Sequence, residues 1–139
     1  MKRKFLLLVA FALVIISTFT IKIENCAAQW VQSSGPGGAI VQCFAVSGLN
    51  LFAGTTRGIY LSADNGASWD AVNNGLSSQG VYALTFSGTN LFAGTGGGVF
   101  LSTNFGSSWT AVNSGITYID IRALAVSGSN IFAGSYSIS

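Results

Sequence analysis

The chain repeats itself at an interval of 40 residues. Residues 48–87 laid over residues 88–127 without gaps give 20 identities in 40 positions. A third, truncated copy begins at residues 128–139, where "GSNIFAGS" matches "GTNLFAGT", and a partial copy at residues 30–47 begins with "WVQSSG". Self-similarity at this period is typical of an array in which one supersecondary unit stacks on the next. The repeat therefore predicts a series of similar units.

Each unit is predicted to contain four short strands. "VYALTFS" at Val81–Ser87 has apolar residues on both faces of the predicted strand, which is typical of a strand buried on both sides. "LFAGT", "VFLST" and "SWTAVN" follow, separated by glycine-bearing turns. Frequent glycine disfavours helix. A four-stranded unit of about 40 residues is the blade of a β-propeller. The predicted fold class is therefore all-β, with about two and three-quarter propeller blades of four antiparallel strands.

The N-terminal segment predicts export. A basic "KRK" precedes a mostly apolar run at Phe5–Phe19, and the small residues "CAA" follow. This order is that of a secretory signal peptide, and the run is shorter than the roughly 20 residues of a membrane span. We expect residues 1–28 to be removed, leaving residues 29–139 as a partial propeller that is secreted, periplasmic or at the cell surface. An uncleaved N-terminal anchor is the alternative.

Charge is scarce in the mature domain, and this excludes several functions. Residues 29–139 carry two arginines and three aspartates, a net charge of −1 (2 − 3), with no Lys, Glu or His. Without a basic patch to neutralise phosphates, no nucleic-acid partner is expected. General acid–base chemistry has almost no groups to use. We therefore predict no catalytic residue, no metal site and no cofactor.

Cys43 is the one cysteine of the predicted mature domain, so no intramolecular disulfide can form within it. In the repeat it aligns with Ala83 and Ala123 on the predicted first strands. A position that takes alanine twice is predicted to hold a small buried side chain, a role that a free cysteine fills well.

Two copies of one phrase, "SADNGASW" and "STNFGSSW", carry a family resemblance. The pattern S-x-D-x-G-x-x-W resembles the Asp-box, or BNR repeat, of sialidases, sortilin-like domains and many secreted bacterial propellers. The wider repeat also looks like propellers related to photosystem II assembly factors. The resemblance implies a propeller in which these residues are structural: Ser62, Asp64, Gly66 and Trp69 in the first box, and Ser102, Asn104, Gly106 and Trp109 in the second.

The box is expected to stabilise a turn. Aspartate or asparagine there can accept hydrogen bonds from backbone N–H groups two or three residues later, and glycine permits positive φ. The tryptophan is expected to fold back onto its own blade and bury its ring. Asn104 is expected to weaken the second box without breaking it. A calcium site at Asp64 is disfavoured, because one carboxylate is a poor ligand set.

Ligand-facing loops are predicted at the end of the strands opposite the boxes. Sequence differs between the copies there, with "TTRG" against "TGGG" and "NNGLSSQG" against "NSGITYID". Ordinary solvated loops are the alternative interpretation. The possible ligand-facing residues are Arg57, Gln79, Tyr118 and Asp120, with Gln42, Tyr82 and Arg122 entering the first strands.

The predicted function is that of a non-catalytic exported propeller module, a scaffold or binding surface for an unknown protein or glycan. Sialidase-like sites need a carboxylate cluster, a tyrosine nucleophile supported by a glutamate, and several arginines, whereas the mature domain has no glutamate and two arginines. The alternative is part of a sialidase-like glycoside hydrolase whose catalytic residues lie outside this chain. Because the third copy stops at Ser139 before its third strand, we expect a fragment of a longer protein, or self-association through open blade edges.

Overall fold

The computed structural model describes residues 35–137, so the predicted signal peptide lies outside the described residues. The prediction of an all-β fold is confirmed, and no helix occurs between residues 35 and 137. The first antiparallel sheet has the order β1 (Val41–Ser47), β2 (Asn50–Thr55), β3 (Gly58–Ser62) and β4 (Asp70–Ala71). The second has the order β5 (Val81–Ser87), β6 (Asn90–Thr95), β7 (Gly98–Ser102) and β8 (Thr110–Ala111). β9 (Ile121–Ser127) pairs with β10 (Asn130–Ser135).

The strands follow the sequence pattern closely, with one difference. β5 coincides with the predicted "VYALTFS" strand. The predicted fourth strand "SWTAVN" is shorter than expected, because β8 has two residues. Before β8, the Trp109 backbone N–H donates to the Asn74 carbonyl of the connection from the first sheet. After β8, the Val112 backbone N–H still donates to the Val99 carbonyl, but the N–H of Val99 donates to the side chain of Asn113 at 2.7 Å.

Successive sheets pack through their first strands. β5 lies against β1 and β2, and β9 lies against β5 and β6. The glycine of "LFAGT" permits this approach, because a Cβ on Gly54 would lie 2.8 Å from Val81 Cγ1 and one on Gly94 would lie 2.8 Å from Ile121 Cγ2. The hydrophobic core is built from both four-stranded sheets and contains Phe52, Ile59, Val81, Leu91, Ala93, Phe100 and Trp109.

The prediction that the Val81–Ser87 strand is buried on both faces is correct, whereas β1 and β9 both contain exposed residues. No residue of β5 is exposed, since a described sheet lies on each side of it. β1 alternates between half-buried and exposed residues, with Phe44 56% and Val46 63% exposed. The difference arises because β1 and β9 each have a described neighbouring sheet on one face.

Candidate functional site

The first box is a closed hydrogen-bonded turn between β3 and β4. Ser62 Oγ donates to Asp64 Oδ1 at 2.8 Å and accepts from the backbone N–H of Gly66 at 2.7 Å. Asp64 accepts from the backbone N–H of Ser68 at 2.8 Å and from its hydroxyl at 2.6 Å. These bonds, led by the Ser68 hydroxyl, lower the pKa of Asp64 to about 2. Both carboxylate oxygens are therefore engaged within the turn.

The second box keeps this geometry with an amide. Asn104 Oδ1 accepts from Ser102 Oγ and from the Ser108 backbone N–H, each at 2.9 Å. Asn104 Nδ2 donates to Ser108 Oγ at 2.8 Å, where the first box has the serine hydroxyl donating to the carboxylate. Ser108 therefore accepts a hydrogen bond where Ser68 donates one. The second turn lacks the carboxylate charge of the first but makes the same number of hydrogen bonds.

Both boxes place a non-glycine residue in the left-handed region. Asn65 has φ 57° and Phe105 has φ 53°, and each is followed by a glycine at positive φ. Asparagine tolerates this region, whereas a bulky residue there is strained. The Phe105 ring lies 6.4 Å from that of Phe86, which itself meets Phe52 of the first sheet edge-on at 5.6 Å. Phe105, the strained residue of the second box, therefore lies next to the aromatic ring of Phe86.

Trp109 buries its ring, and its hydrogen bonds reach beyond its own sheet. Its indole Nε1 donates to the carbonyl of Val72 at 2.8 Å, and its backbone N–H donates to the Asn74 carbonyl at 2.8 Å. Val72 and Asn74 belong to the connection that leaves the first sheet. The ring is 4% exposed and joins the shared core. Trp109 therefore connects the second sheet to the first.

The opposite end has a second stabilising arrangement, which the sequence prediction missed. Asn73 Oδ1 accepts from the backbone N–H of Ile59 at 2.7 Å, as Asn113 Oδ1 does from Val99. The buried hydroxyl of Thr55 donates to the Gly58 carbonyl at 2.9 Å, and Thr95 makes the same bond in the second sheet. The asparagine, threonine and glycine of this arrangement are identical in the two copies and lie outside the box. That identity is the sequence signal that could have revealed the arrangement.

The same end brings together an arginine, a carboxylate and two tyrosines. Arg122, at the start of β9, forms a two-point contact with Asp120, from Nη2 to Oδ2 and from Nε to Oδ1, each at 2.8 Å. Its guanidinium lies 3.9 Å from the ring centre of Tyr82 on β5 and 5.8 Å from that of Tyr136. The hydrogen bond to Asp120 raises the pKa of Arg122 above its ordinary value. We call these four residues the arginine cluster.

The arginine cluster contains one of the four loop residues named from sequence and one residue that was missed. Asp120 belongs to it, while Arg57 lies in the β2–β3 turn, Gln79 in the β4–β5 connection and Tyr118 in the β8–β9 connection. Among residues 35–137, no hydrogen bond or ion pair joins these three to the cluster. Tyr136 gave no sequence signal, because its counterparts in the earlier copies are Thr56 and Gly96.

Cys43 is half-buried beside the core, and burial raises the pKa of its thiol to about 11. The described residues contain no group of three His, Cys, Asp or Glu side chains that could hold a metal ion. In the same part of the chain, no helix is long and apolar enough to cross a membrane. Comparison with known protein families, curated proteins and solved structures found no match.

Proposed function

We propose that the chain forms β-propeller blades of the Asp-box kind. Each strand of the first sheet has a counterpart in the second whose bounds lie 40 residues later. The first strands of successive sheets lie side by side, which suits blades placed around an axis with their first strands innermost. The boxes support this proposal through their hydrogen bonds, which hold the β3–β4 turn of the first sheet and the β7–β8 turn of the second.

We propose further that the module is exported, binds a protein or glycan ligand, and does not catalyse a reaction. The observation that supports ligand binding is the arginine cluster, in which Arg122 is 50% exposed and Tyr136 is 56% exposed. Tyrosine and arginine dominate the energetics of many binding interfaces, because they offer large rigid contact areas together with polar atoms. A guanidinium held by a carboxylate and a ring is preorganised, so less rotamer freedom is lost on binding.

A binding selection tests this proposal. A displayed peptide library and a glycan array, both applied to the purified protein, should yield ligands whose affinity is then measured against variants. Arg122→Ala should weaken the selected ligands by at least about tenfold, which corresponds to about 1.4 kcal/mol. Asp64→Asn is the control, because Asp64 lies in the box at the opposite end of the strands, and it should change little. Equal losses for the two variants, or no ligand at all, would count against the proposal.

Three further assays address the remaining expectations. Hydrolysis of a fluorogenic sialoside by the protein would contradict the proposal that it does not catalyse a reaction. Intact-mass analysis of protein expressed in a Gram-negative host should show a product beginning near Gln29 in the periplasm or medium. Retention of Met1 in the membrane fraction would favour an anchor. Light scattering tests the proposed self-association through open sheet edges.

A further inference from the structure

An apolar groove lies between the second sheet and the β9–β10 pair. Its volume is about 170 Å³, and it is lined by Phe92, Val99, Val112, Ile116, Ile131 and Ala133. A cavity of about 150 Å³ lined by aliphatic and aromatic side chains accepts a benzene ring. The groove is therefore large enough for an aromatic side chain.

The groove repeats the site that Trp109 occupies. Moving its six lining residues back by 40 positions gives residues of the core cluster that contains Trp109: Phe52, Ile59, Val72, Leu76, Leu91 and Ala93. The carbonyl that accepts from the Trp109 indole belongs to Val72, whose counterpart is Val112. Among the described tryptophans, Trp109 fills the first site and Trp69 lies beside Phe44, so neither occupies the groove.

An open strand edge lies next to the groove. In the second sheet β6 pairs with β5 on one side and with β7 on the other. β10, the counterpart of β6, pairs within residues 35–137 with β9 alone. Its other edge presents the backbone N–H and C=O groups that accept an added strand. A hairpin equivalent to β7 and β8 could pair with this edge and insert its tryptophan into the groove.

We propose that the groove and the open edge of β10 bind a tryptophan-bearing β-hairpin of a further repeat unit, with the sequence pattern of residues 98–115. The hairpin would pair with β10 in the register that β7 adopts on β6, and its indole N–H would donate to the Val112 carbonyl. A second copy of this chain is a poorer occupant, because its Trp109 is already buried in its own site. The proposal extends the blade arrangement and does not depend on a ligand at the arginine cluster.

Extending the chain tests this inference. A second copy of residues 98–115 joined directly after Ser137 continues the 40-residue spacing and places its tryptophan opposite the groove. The extended protein should melt about 5 °C or more above the original. The same extension with its tryptophan replaced by alanine should lose most of the gain. Val112→Asp in the groove should also remove the gain, whereas Val46→Asp, at an exposed valine of β1, should preserve it.

A synthetic peptide of residues 98–115 provides the second measurement, by titration against the unextended protein. Saturable binding that weakens at least tenfold when the peptide tryptophan becomes alanine would support the proposal. No gain from the extension, or a gain that needs neither the tryptophan nor Val112, would overturn it. Concentration-dependent dimers that the peptide cannot dissociate would assign the groove to a second copy and would also overturn it. The alanine extension keeps the test decisive if Val112→Asp fails to fold.

Discussion

Trp69 and Trp109 occupy the same place in two nearly identical boxes, yet their surroundings differ. Trp109 is almost fully buried and donates its indole N–H to Val72 of the preceding sheet. Trp69 is half-buried and lies 6.5 Å from the ring of Phe44. The hydrogen bonds of the two turns are the same in number. The box therefore fixes the turn, while the neighbouring sheet determines how deeply the ring is buried.

The largest expected effect is that of truncating the buried ring. Trp109→Ala should lower the free energy of unfolding by about 3–5 kcal/mol, because it leaves a cavity between the sheets and the Val72 carbonyl without its donor. Trp69→Ala should cost less, since part of its ring is already in water. Denaturant unfolding of the two variants measures this difference. A larger loss of unfolding free energy for Trp69→Ala would show that burial of the ring does not determine the cost.

The two turn-capping asparagines should behave differently from the tryptophans. Asn113→Ala should cost about 1–3 kcal/mol, because the buried N–H of Val99 would lose its acceptor. Asn73→Ala should cost a similar amount, since Asn73 makes the same bond to Ile59 within its own sheet. The same denaturant melts should therefore show equal losses of unfolding free energy for the two asparagine variants and unequal losses for the two tryptophan variants. This result would distinguish contacts within a sheet from contacts between sheets.

The boxes themselves should differ in their response to acid. The folded pKa of Asp64 is about 2, below the ordinary value of 3.8, so the carboxylate stabilises the fold above pH 4. This contribution is lost as the pH falls from about 4 through 2. Thermal melts between pH 5 and pH 2 should show the wild-type protein losing more stability than Asp64→Asn. At pH 7 Asp64→Asn should be mild, because Asn104 shows that an amide completes the same turn.

Asp64→Ala is the control for that experiment. It removes the acceptor of both Ser68 bonds, so it should destabilise the protein more than Asp64→Asn at pH 7. Its stability should also lack the acid-dependent loss. If Asp64→Asn instead abolished binding of a selected ligand while leaving the melt unchanged, the box would be a binding site and its structural interpretation would be wrong.

Local features of the sequence predicted the local structure. A run that is apolar on both faces, bounded by glycine turns, predicted the bounds of β5, since both signals depend on neighbours within a few residues. The box turn was predicted from side-chain oxygens that accept from nearby backbone N–H groups, although the bonds to Asp64 and Asn104 come from four residues later and not from the two or three expected. These interactions need no knowledge of how the sheets pack.

Contacts between sheets could not be predicted from local sequence features. The acceptor for Trp109 lies 37 residues earlier, and the exposure of Phe44 depends on whether a sheet covers β1. Arg122 was named from sequence, but the position of its guanidinium over the ring of Tyr82 depends on how β5 lies against β9. Side-chain type alone does not specify which strand becomes a neighbour, so these contacts required the three-dimensional arrangement.

The change expected to matter least is at a position where the two sheets differ by one sulfur atom. Cys43 occupies the place of Ala83, and the backbone of Gly54 leaves room for its sulfur. Cys43→Ala should therefore change the free energy of unfolding by less than about 1 kcal/mol. With a thiol pKa of about 11, roughly one molecule in a thousand carries a thiolate at pH 8, so iodoacetamide should react slowly. Urea should restore the rate of an ordinary cysteine. Rapid alkylation of the folded protein would show that this strand is open to solvent, and that the first sheet is packed less tightly than the second.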